Sequence, residues 1–475
     1  MSDSPESQPP PVRRAAIVGA GPSGFYAAEQ LLGQGFEVDV IDRLPTPFGL
    51  VRAGVAPDHP KIKSVTRMYE KTASRPGFRY FGGVELGRDI DGAELLERYH
   101  AVVYAIGTSN DNRLGIPGEE LAGSHPATDF VGWYNGHPDC CEHRFDLGHP
   151  RAVVIGNGNV ALDVARMLVL SDEELAATDT ADHALDALRA AAVEEVVILG
   201  RRGPAQAAFT NPELRELGEL SRADVVVAPG EVELDPLSAA WLASDQADST
   251  ARRNLEILTD YSSRGPTGKP RRVVLRFLLS PVEILGDDQG RVRAVKVARN
   301  RIAADDKGRL SAVPTAEHDV IECGLVLRAV GYRGRPIDGV PFEARRGLIP
   351  NEGGRVLGDD GRHRPGQYAV GWIKRGPSGV IGTNKKDAAD TVARILEDAE
   401  HDRLNQPRHP DGAEVEPWLR ARVDGLVTWQ GWQSIDRHER TAGEPAGRPR
   451  IKLVRMADMW MIAAPDGEST PAGSV

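Results

Sequence analysis

The chain reads as an α/β protein carrying two separate parallel βαβ units, and three observations say so. Two glycine turns, Gly19-Ala20-Gly21-Pro22-Ser23-Gly24 and Gly156-Asn157-Gly158-Asn159-Val160-Ala161, each stand between a short apolar strand and a helix. In each unit a second strand follows the helix. Those second strands end on opposite charges, Asp42 in the first unit and Arg201-Arg202 in the second. Turns of this kind let the backbone approach a pyrophosphate at a positive helix end, so the sequence predicts two Rossmann-like nucleotide-binding domains.

The first unit opens with a strand at 15–18, the turn, a helix at 23–34 and a strand at 38–41. Asp42 then follows Gly24 at close to the roughly 20-residue offset of a ribose-binding carboxylate. A loop rich in proline and glycine runs through Pro47-Phe48-Gly49-Leu50-Val51-Arg52 to His59-Pro60, and a helix is expected over 62–73. Short strands at 78–81, 84–86 and 101–106 return the sheet to the nucleotide crevice. Residues 110–149 form a loop-rich passage with a short helix near 129–134.

A buried-type strand at 151–155 enters the second turn, followed by a helix at 160–170. Polar helices near 172–178 and 182–192 then delay the strand at 195–199, which is why the arginines come late. Beyond them a helix at 212–220 and strands at 224–227, 272–278, 282–285, 292–298 and 326–330 are expected. A strand at 368–371, a glycine loop and a helix over 384–399 mark a return into the first domain. The residues after about 400 carry no motif and are expected to pack on that domain.

Composition narrows the function. A formal net charge of -11 over 475 residues argues against nucleic acid as the main partner. Only three cysteines occur, the adjacent Cys140 and Cys141 and the isolated Cys323. There is no CxxC for a dithiol reductase and too few thiolates for an all-cysteine iron-sulfur cluster. Residues 1–11 are polar, with Asp3 and Glu6 where a signal peptide would be basic, and read as a disordered arm. No apolar run approaches the roughly 18 residues of a membrane span. A cytoplasmic monomer is the default expectation.

The opposite strand endings differentiate the two nucleotides. An acid takes ribose hydroxyls, whereas fork-shaped guanidinium donors accommodate a 2′-phosphate. A chain holding both kinds of nucleotide is most simply a flavoprotein that binds FAD and takes electrons from NADPH.

Five stretches resemble one family in order: residues 16–26, Pro47 to Arg52 with 54–61, 156–163, 200–204 and 370–383. They are similar to the adrenodoxin-reductase family of ferredoxin-NADP+ reductases in its bacterial form. The resemblance implies an NADP domain, 111–331, inserted into a discontinuous FAD domain, 12–110 and 332–475. It also implies electron transfer from NADPH through FAD to a ferredoxin, a small acidic iron-sulfur protein.

On the FAD side the turn itself supplies Gly19, Gly21 and Gly24, and the resemblance assigns Ser23, Asp42, Leu50 and Leu86, then Trp372 and the run Gly379, Val380, Ile381. On the NADP side the second turn places Asn157, Gly158, Asn159 and Val160 at the pyrophosphate, with Arg201 and Arg202 on the 2′-phosphate, and the resemblance adds Glu213 as a further contact. Leu86 serves equally as core, and Glu213 equally suits the first turn of a helix. His59 and Asp163 are the candidate catalytic pair, because electrons that leave singly require protons to leave too and a carboxylate can tune a histidine relay. Both could instead serve structure, His59 in its turn and Asp163 at its helix start. Lys61, Lys63, Arg67, Arg215, Lys374, Arg375, Lys385 and Lys386 are the basic groups that would meet an acidic ferredoxin. Rival readings are another NADPH-dependent flavoprotein reductase, a flavin monooxygenase, and a non-catalytic redox sensor.

Overall fold

The computed structural model describes residues 12–379 and 381–464. The expected strand-turn-helix-strand units each seed a sheet. In the first, parallel strands lie in the order Phe78–Gly82, Glu37–Asp42, Arg14–Val18, Ala101–Tyr104, His363–Ala369. Antiparallel strands extend both edges, Arg355–Leu357 and Asn351–Glu352 at one and Val427–Thr428 at the other. The second sheet is wholly parallel, in the order Ser124–Pro126, Leu325–Arg328, Arg151–Ile155, Glu195–Leu199, Arg271–Arg276, Ala223–Val226. Central strands such as Arg14–Val18 and Glu195–Leu199 are buried at every position, because both faces of each parallel sheet are covered.

The chain crosses between the sheets twice. The crossings, Asn110–Asp111 and Tyr332–Arg333, pair antiparallel with each other. After the second turn's helix, Asn159–Val169, the polar helices Asp172–Ala176 and Asp182–Arg189 precede the strand that ends at the arginines.

Three local expectations are corrected. The helix expected over 62–73 is split into Pro60–Lys63 and Thr66–Ala73, where the Ser64 hydroxyl donates to Lys61 O at 2.6 Å and competes with helix continuation. The strand expected at 84–86 is only an isolated bridge between Leu86 and Ile90, since the Asp89 carboxylate accepts from Glu85 N at 2.8 Å and folds the chain back. The strands expected at 282–285 and 292–298 are longer, Leu279–Gly286 and Val292–Ala304, and belong to an antiparallel ribbon with a third strand, Leu310–Glu322.

The residues after 400 do pack on the first sheet. Trp429 and Trp432, on the helix Trp429–Gly443, meet the Phe48 ring edge-on at centroid distances of 6.3 and 5.5 Å. Among the described residues no helix is long and apolar enough to cross a membrane. The residues read as an arm, 1–11, lie outside the described part.

Candidate functional site

Each glycine turn is built against the neighbouring parallel strand. A Cβ at Gly19, whose φ is +112°, would lie 2.4 Å from Ala105 O; at Gly156, φ +137°, it would lie 2.2 Å from Ala329 O. Only glycine permits that φ and that approach. The middle glycines behave differently. Gly21 and Gly158 have φ of -81° and -108°, which any residue adopts, and a Cβ there would meet nothing within 4 Å among the described residues. The protein itself does not demand glycine at either position, so the open space above them fits a ligand's pyrophosphate. The helices that start there, Pro22–Gly33 and Asn159–Val169, have no side-chain cap and present free amide dipoles to that space.

At the first turn, Asp42 Oδ2 accepts from Ala20 N at 2.7 Å and Oδ1 from Leu44 N at 2.9 Å. Burial raises the Asp42 pKa against the opposing effect of those two donors. Phe48 carries a φ of +84°, a strained value held by its buried ring, and its N–H donates to Ala20 O at 2.8 Å. That bend brings Gly49 against Gly21 and leaves Leu50 exposed at 42% beside the turn. Leu86 is in the apolar core instead, 5% exposed.

The loop after the strand His363–Ala369 closes on the same turn. A Cβ at Gly371 would meet Ser23 Oγ at 2.2 Å, so Ser23 and the Trp372 loop are in contact. Gly371 N donates to Asp387 Oδ2 at 2.5 Å, tying the loop to the helix Thr383–Glu400. Trp372 lies 5.6 Å from the Tyr332 ring, and its buried Nε1 has no hydrogen-bond partner among the described residues. Gly379 is exposed and Ile381 half-buried, while Val380 falls outside the described residues.

At the second turn, Asn157 O accepts from Ala208 N at 2.9 Å and Asn159 Oδ1 from Thr210 N at 2.8 Å. These bonds bring the start of the helix Asn211–Leu217, with Glu213, beside the turn. Asn157 Nδ2 is buried without a hydrogen-bond partner among the described residues, and Val160 is half-buried. Among the described residues neither Arg201 nor Arg202 has a carboxylate partner, and the pKa of Arg202 is lowered by burial and by Arg201. Two guanidinium groups near enough for one to lower the other's pKa are suited to an incoming dianion.

His59 and Asp163 meet in a cluster that bridges the two units. His59 is 8% exposed, with Nε2 2.8 Å from Glu216 Oε2 and 3.7 Å from Glu213 Oε2, out of hydrogen-bond alignment with either. At the centre is Arg166, 1% exposed, donating to Asp58 Oδ2 at 2.6 Å and Glu216 Oε2 at 2.8 Å, with Asp163 Oδ1 at 3.8 Å. Burial pushes the Asp163 carboxyl well above the ordinary carboxylate range, and Glu213, Asp58 and Glu216 push the same way against Arg166. Burial also raises Glu213, opposed by His59 and Arg166. Arg166, Asp58 and Glu216 escaped the sequence reading. The available signal was a cation on the helix Asn159–Val169 among Leu162, Ala165 and Val169, a position that tolerates charge only when paired.

Two of the expected docking cations are already committed. Lys63 donates to Asp179 at 2.6 Å and Lys374 pairs with Asp387 at 3.0 Å. Arg375 is half-buried and donates to Asn384 Oδ1 at 2.8 Å, whereas Lys61, Arg67, Arg215, Lys385 and Lys386 are exposed. All three thiols are free. Burial pushes both the Cys140 and the Cys323 thiol up to about 12, far from a reactive thiolate.

Comparison with known proteins accounts for this arrangement. The family described as pyridine nucleotide-disulphide oxidoreductase matches residues 13–202. Over 465 residues the chain is 50% identical to the NADPH-ferredoxin reductase FprA of Mycobacterium tuberculosis (strain ATCC 25618 / H37Rv), covering 94% of this chain and 98% of that protein. It is 39% identical over 461 residues to the mitochondrial NADPH:adrenodoxin oxidoreductase of Arabidopsis thaliana, covering 94% and 95%. The solved structure of Mycobacterium tuberculosis FprA in complex with NADPH superposes with a TM-score of 0.89 at 49% identity, over 95% of this chain and 99% of that one. The chain therefore belongs to the adrenodoxin-reductase-like family of ferredoxin-NADP+ reductases, in its bacterial form.

Proposed function

We propose that this protein is an FAD-dependent NADPH:ferredoxin oxidoreductase. The observation that carries the reading is the pair of turns open at Gly21 and Gly158, one ending on Asp42 and the other on two guanidinium groups without carboxylate partners among the described residues. Bound FAD would supply the conversion from two-electron to one-electron chemistry, accepting hydride from NADPH and passing electrons singly to a ferredoxin-type iron-sulfur protein.

The chain's own residues do the rest. Gly19, Gly21, Ser23 and Gly24 would hold the FAD pyrophosphate at the helix start, Asp42 the adenosine ribose, and Leu50 and Trp372 would wall the ring's surroundings. Leu86 would act from the core, and Gly379, Val380 and Ile381 would border the ring edge. Asn157, Gly158, Asn159 and Val160 would seat the NADP pyrophosphate, and Arg201 and Arg202 would take the 2′-phosphate. Glu213 would border the nicotinamide end, beside His59. The His59 Nε2 faces the carboxylates of Glu213 and Glu216, and burial favours the protonated form of Asp163; this arrangement can hold and release a proton at the unit junction.

We assign 12–110 and 332–475 to the FAD-binding domain and 111–331 to the NADP-binding domain, supported by the paired crossings at the two junctions. An acidic ferredoxin would dock through exposed cations such as Lys61, Arg67, Arg215, Lys385 and Lys386. A cytoplasmic monomer suffices for the scheme, since both turns and these cations lie on one chain. Anaerobic titration of the yellow protein with NADPH and with NADH, followed by reduction of a ferredoxin panel, tests the reading. Bleaching by NADPH in preference to NADH, then electron delivery to a ferredoxin, is expected; a colourless protein would overturn it.

A further inference from the structure

Residues 58–63 lie in the connection between the first-sheet strands Glu37–Asp42 and Phe78–Gly82 and are pinned to the second unit at both ends. At one end Asp58 Oδ2 accepts from Arg166 Nη2 at 2.6 Å; at the other Lys63 Nζ donates to Asp179 Oδ1 at 2.6 Å. Between the pins lies the helix Pro60–Lys63, with His59 as its N-cap residue. Four helical residues rise only about 6 Å. A displacement of Lys63 is therefore transmitted to His59 with little room to be absorbed.

The far pin is itself clamped. Asp179 is 7% exposed and Lys452 5%, and Lys452 Nζ lies 3.3 Å from Asp179 Oδ2. Asn135 Oδ1 accepts from Lys63 at 3.3 Å and from Lys452 at 3.2 Å, while Lys452 also donates to Arg52 O at 3.3 Å. The segment around Lys452 is held in turn. Arg448 donates to Thr178 O at 3.1 Å and Asp182 Oδ1 at 2.5 Å, and Arg450 pairs with Glu439 at 2.9 Å. Two lysines sharing one buried carboxylate, with burial lowering the Lys452 pKa, is an expensive arrangement, and a well-packed apolar junction would be as stable or more so. What the charged junction adds is a defined geometry between three distant stretches of chain.

We infer that Lys63, Asp179 and Lys452 are positioning residues for hydride transfer, fixing where the His59 helix lies on the second unit and so how the nicotinamide pocket meets the first. The inference rests on the flavoenzyme reading above. It assigns a task to the C-terminal segment that neither nucleotide turn requires.

The test is Lys63→Met in the flavin-loaded enzyme. Asp179 keeps Lys452, so no buried charge is orphaned and the melting temperature and flavin content are expected to stay at wild type. The dissociation constant for NADPH is expected to stay within about twofold, while the limiting rate of flavin bleaching in anaerobic stopped flow falls about tenfold, the scale of a sub-ångström to ångström misplacement. Lys63→Arg restores most of the rate. A wild-type limiting rate in Lys63→Met, a loss confined to NADPH affinity, or failure of Lys63→Arg to restore the rate overturns the inference. Should Lys63→Met not fold, Lys452→Met, which leaves the Lys63–Asp179 pair intact, is judged by the same criteria with an expected drop of about threefold. Wild-type protein that is colourless, or that NADPH does not bleach, overturns the flavoenzyme reading instead.

Discussion

The two glycine turns share a skeleton and differ in what surrounds it. Both wedge their first glycine against the carbonyl that follows the adjacent strand, Ala105 or Ala329, and both leave the middle glycine open. At the first turn the acid is already engaged, with Asp42 accepting from Ala20 N and Leu44 N, and the Phe48–Leu50 loop and Gly371 press in from two sides. At the second the basic pair has no carboxylate partner among the described residues, and Arg201 opposes the charge of Arg202. On the proposed reading the first site is preorganised for FAD, and the second carries a repulsion that an anionic ligand would relieve. Helices elsewhere show that caps are available to this chain, since Asp91 and Ser171 each complete a capping box. The starts at Gly21 and Gly158 carry no such cap.

The largest expected effect breaks the shared skeleton. Gly19→Ala would place a methyl 2.4 Å from Ala105 O at a φ of +112°, and we expect protein that either does not fold or carries no flavin, read by released flavin absorbance. Gly21→Ala and Gly158→Ala separate the sites, because neither methyl meets protein. Melting of the flavin-free protein should be unchanged in both; Gly21→Ala should lose flavin, and Gly158→Ala should keep its colour but bind NADPH poorly. Equal losses at both sites would dissolve the contrast.

Next in size is the double variant Arg201→Ala with Arg202→Ala. With about 1.5–3 kcal/mol for each charge-assisted hydrogen bond lost, preference for NADPH over NADH should fall by about 100-fold or more, measured as a ratio of kcat/KM values. Melting of the ligand-free protein should hold or rise slightly as the mutual repulsion is removed.

A smaller effect follows from charge burial. Asp163 has a raised folded-state pKa, so ionising it costs stability, and that cost grows as the pH climbs from the ordinary carboxylate value, about 4, toward the raised one. Asp163→Asn should therefore melt higher than wild type by a margin that is larger at pH 8 than at pH 5. Glu439, paired with Arg52 and Arg450, is shifted the other way: its stabilisation is present above about pH 4 and lost as acid forces a proton onto it. The smallest effect is expected from thiol alkylation at neutral pH, which should leave turnover unchanged, since Cys140 and Cys323 are pushed up to about 12.

What was legible in the sequence is local. The turns, Asp42 and the arginine pair are defined by spacing within one βαβ unit, and the structure places them accordingly. The junction was not legible, because its contacts join residues far apart in the chain: Arg166 to Asp58, Lys63 to Asp179, Lys452 to Asn135. The strand Leu310–Glu322 was hidden for another reason. It is mostly exposed on both faces, so it lacks the alternation that marks a half-buried strand. Among the basic residues, charge alone did not separate Lys63 and Lys374, which are spent in internal pairs, from Lys385 and Lys386, which face solvent.

The side-by-side crossings at Asn110–Asp111 and Tyr332–Arg333 limit how the halves can move. A single linker lets one body swivel freely about another, but two strands bonded edge to edge act like the two leaves of a door hinge. They resist twisting and sideways slip and leave bending about one line as the soft degree of freedom. Any opening of this enzyme to exchange its nicotinamide nucleotide is therefore expected to follow a single reproducible arc, which distance measurements between labels on the two sheets would trace as one coordinate rather than a cloud.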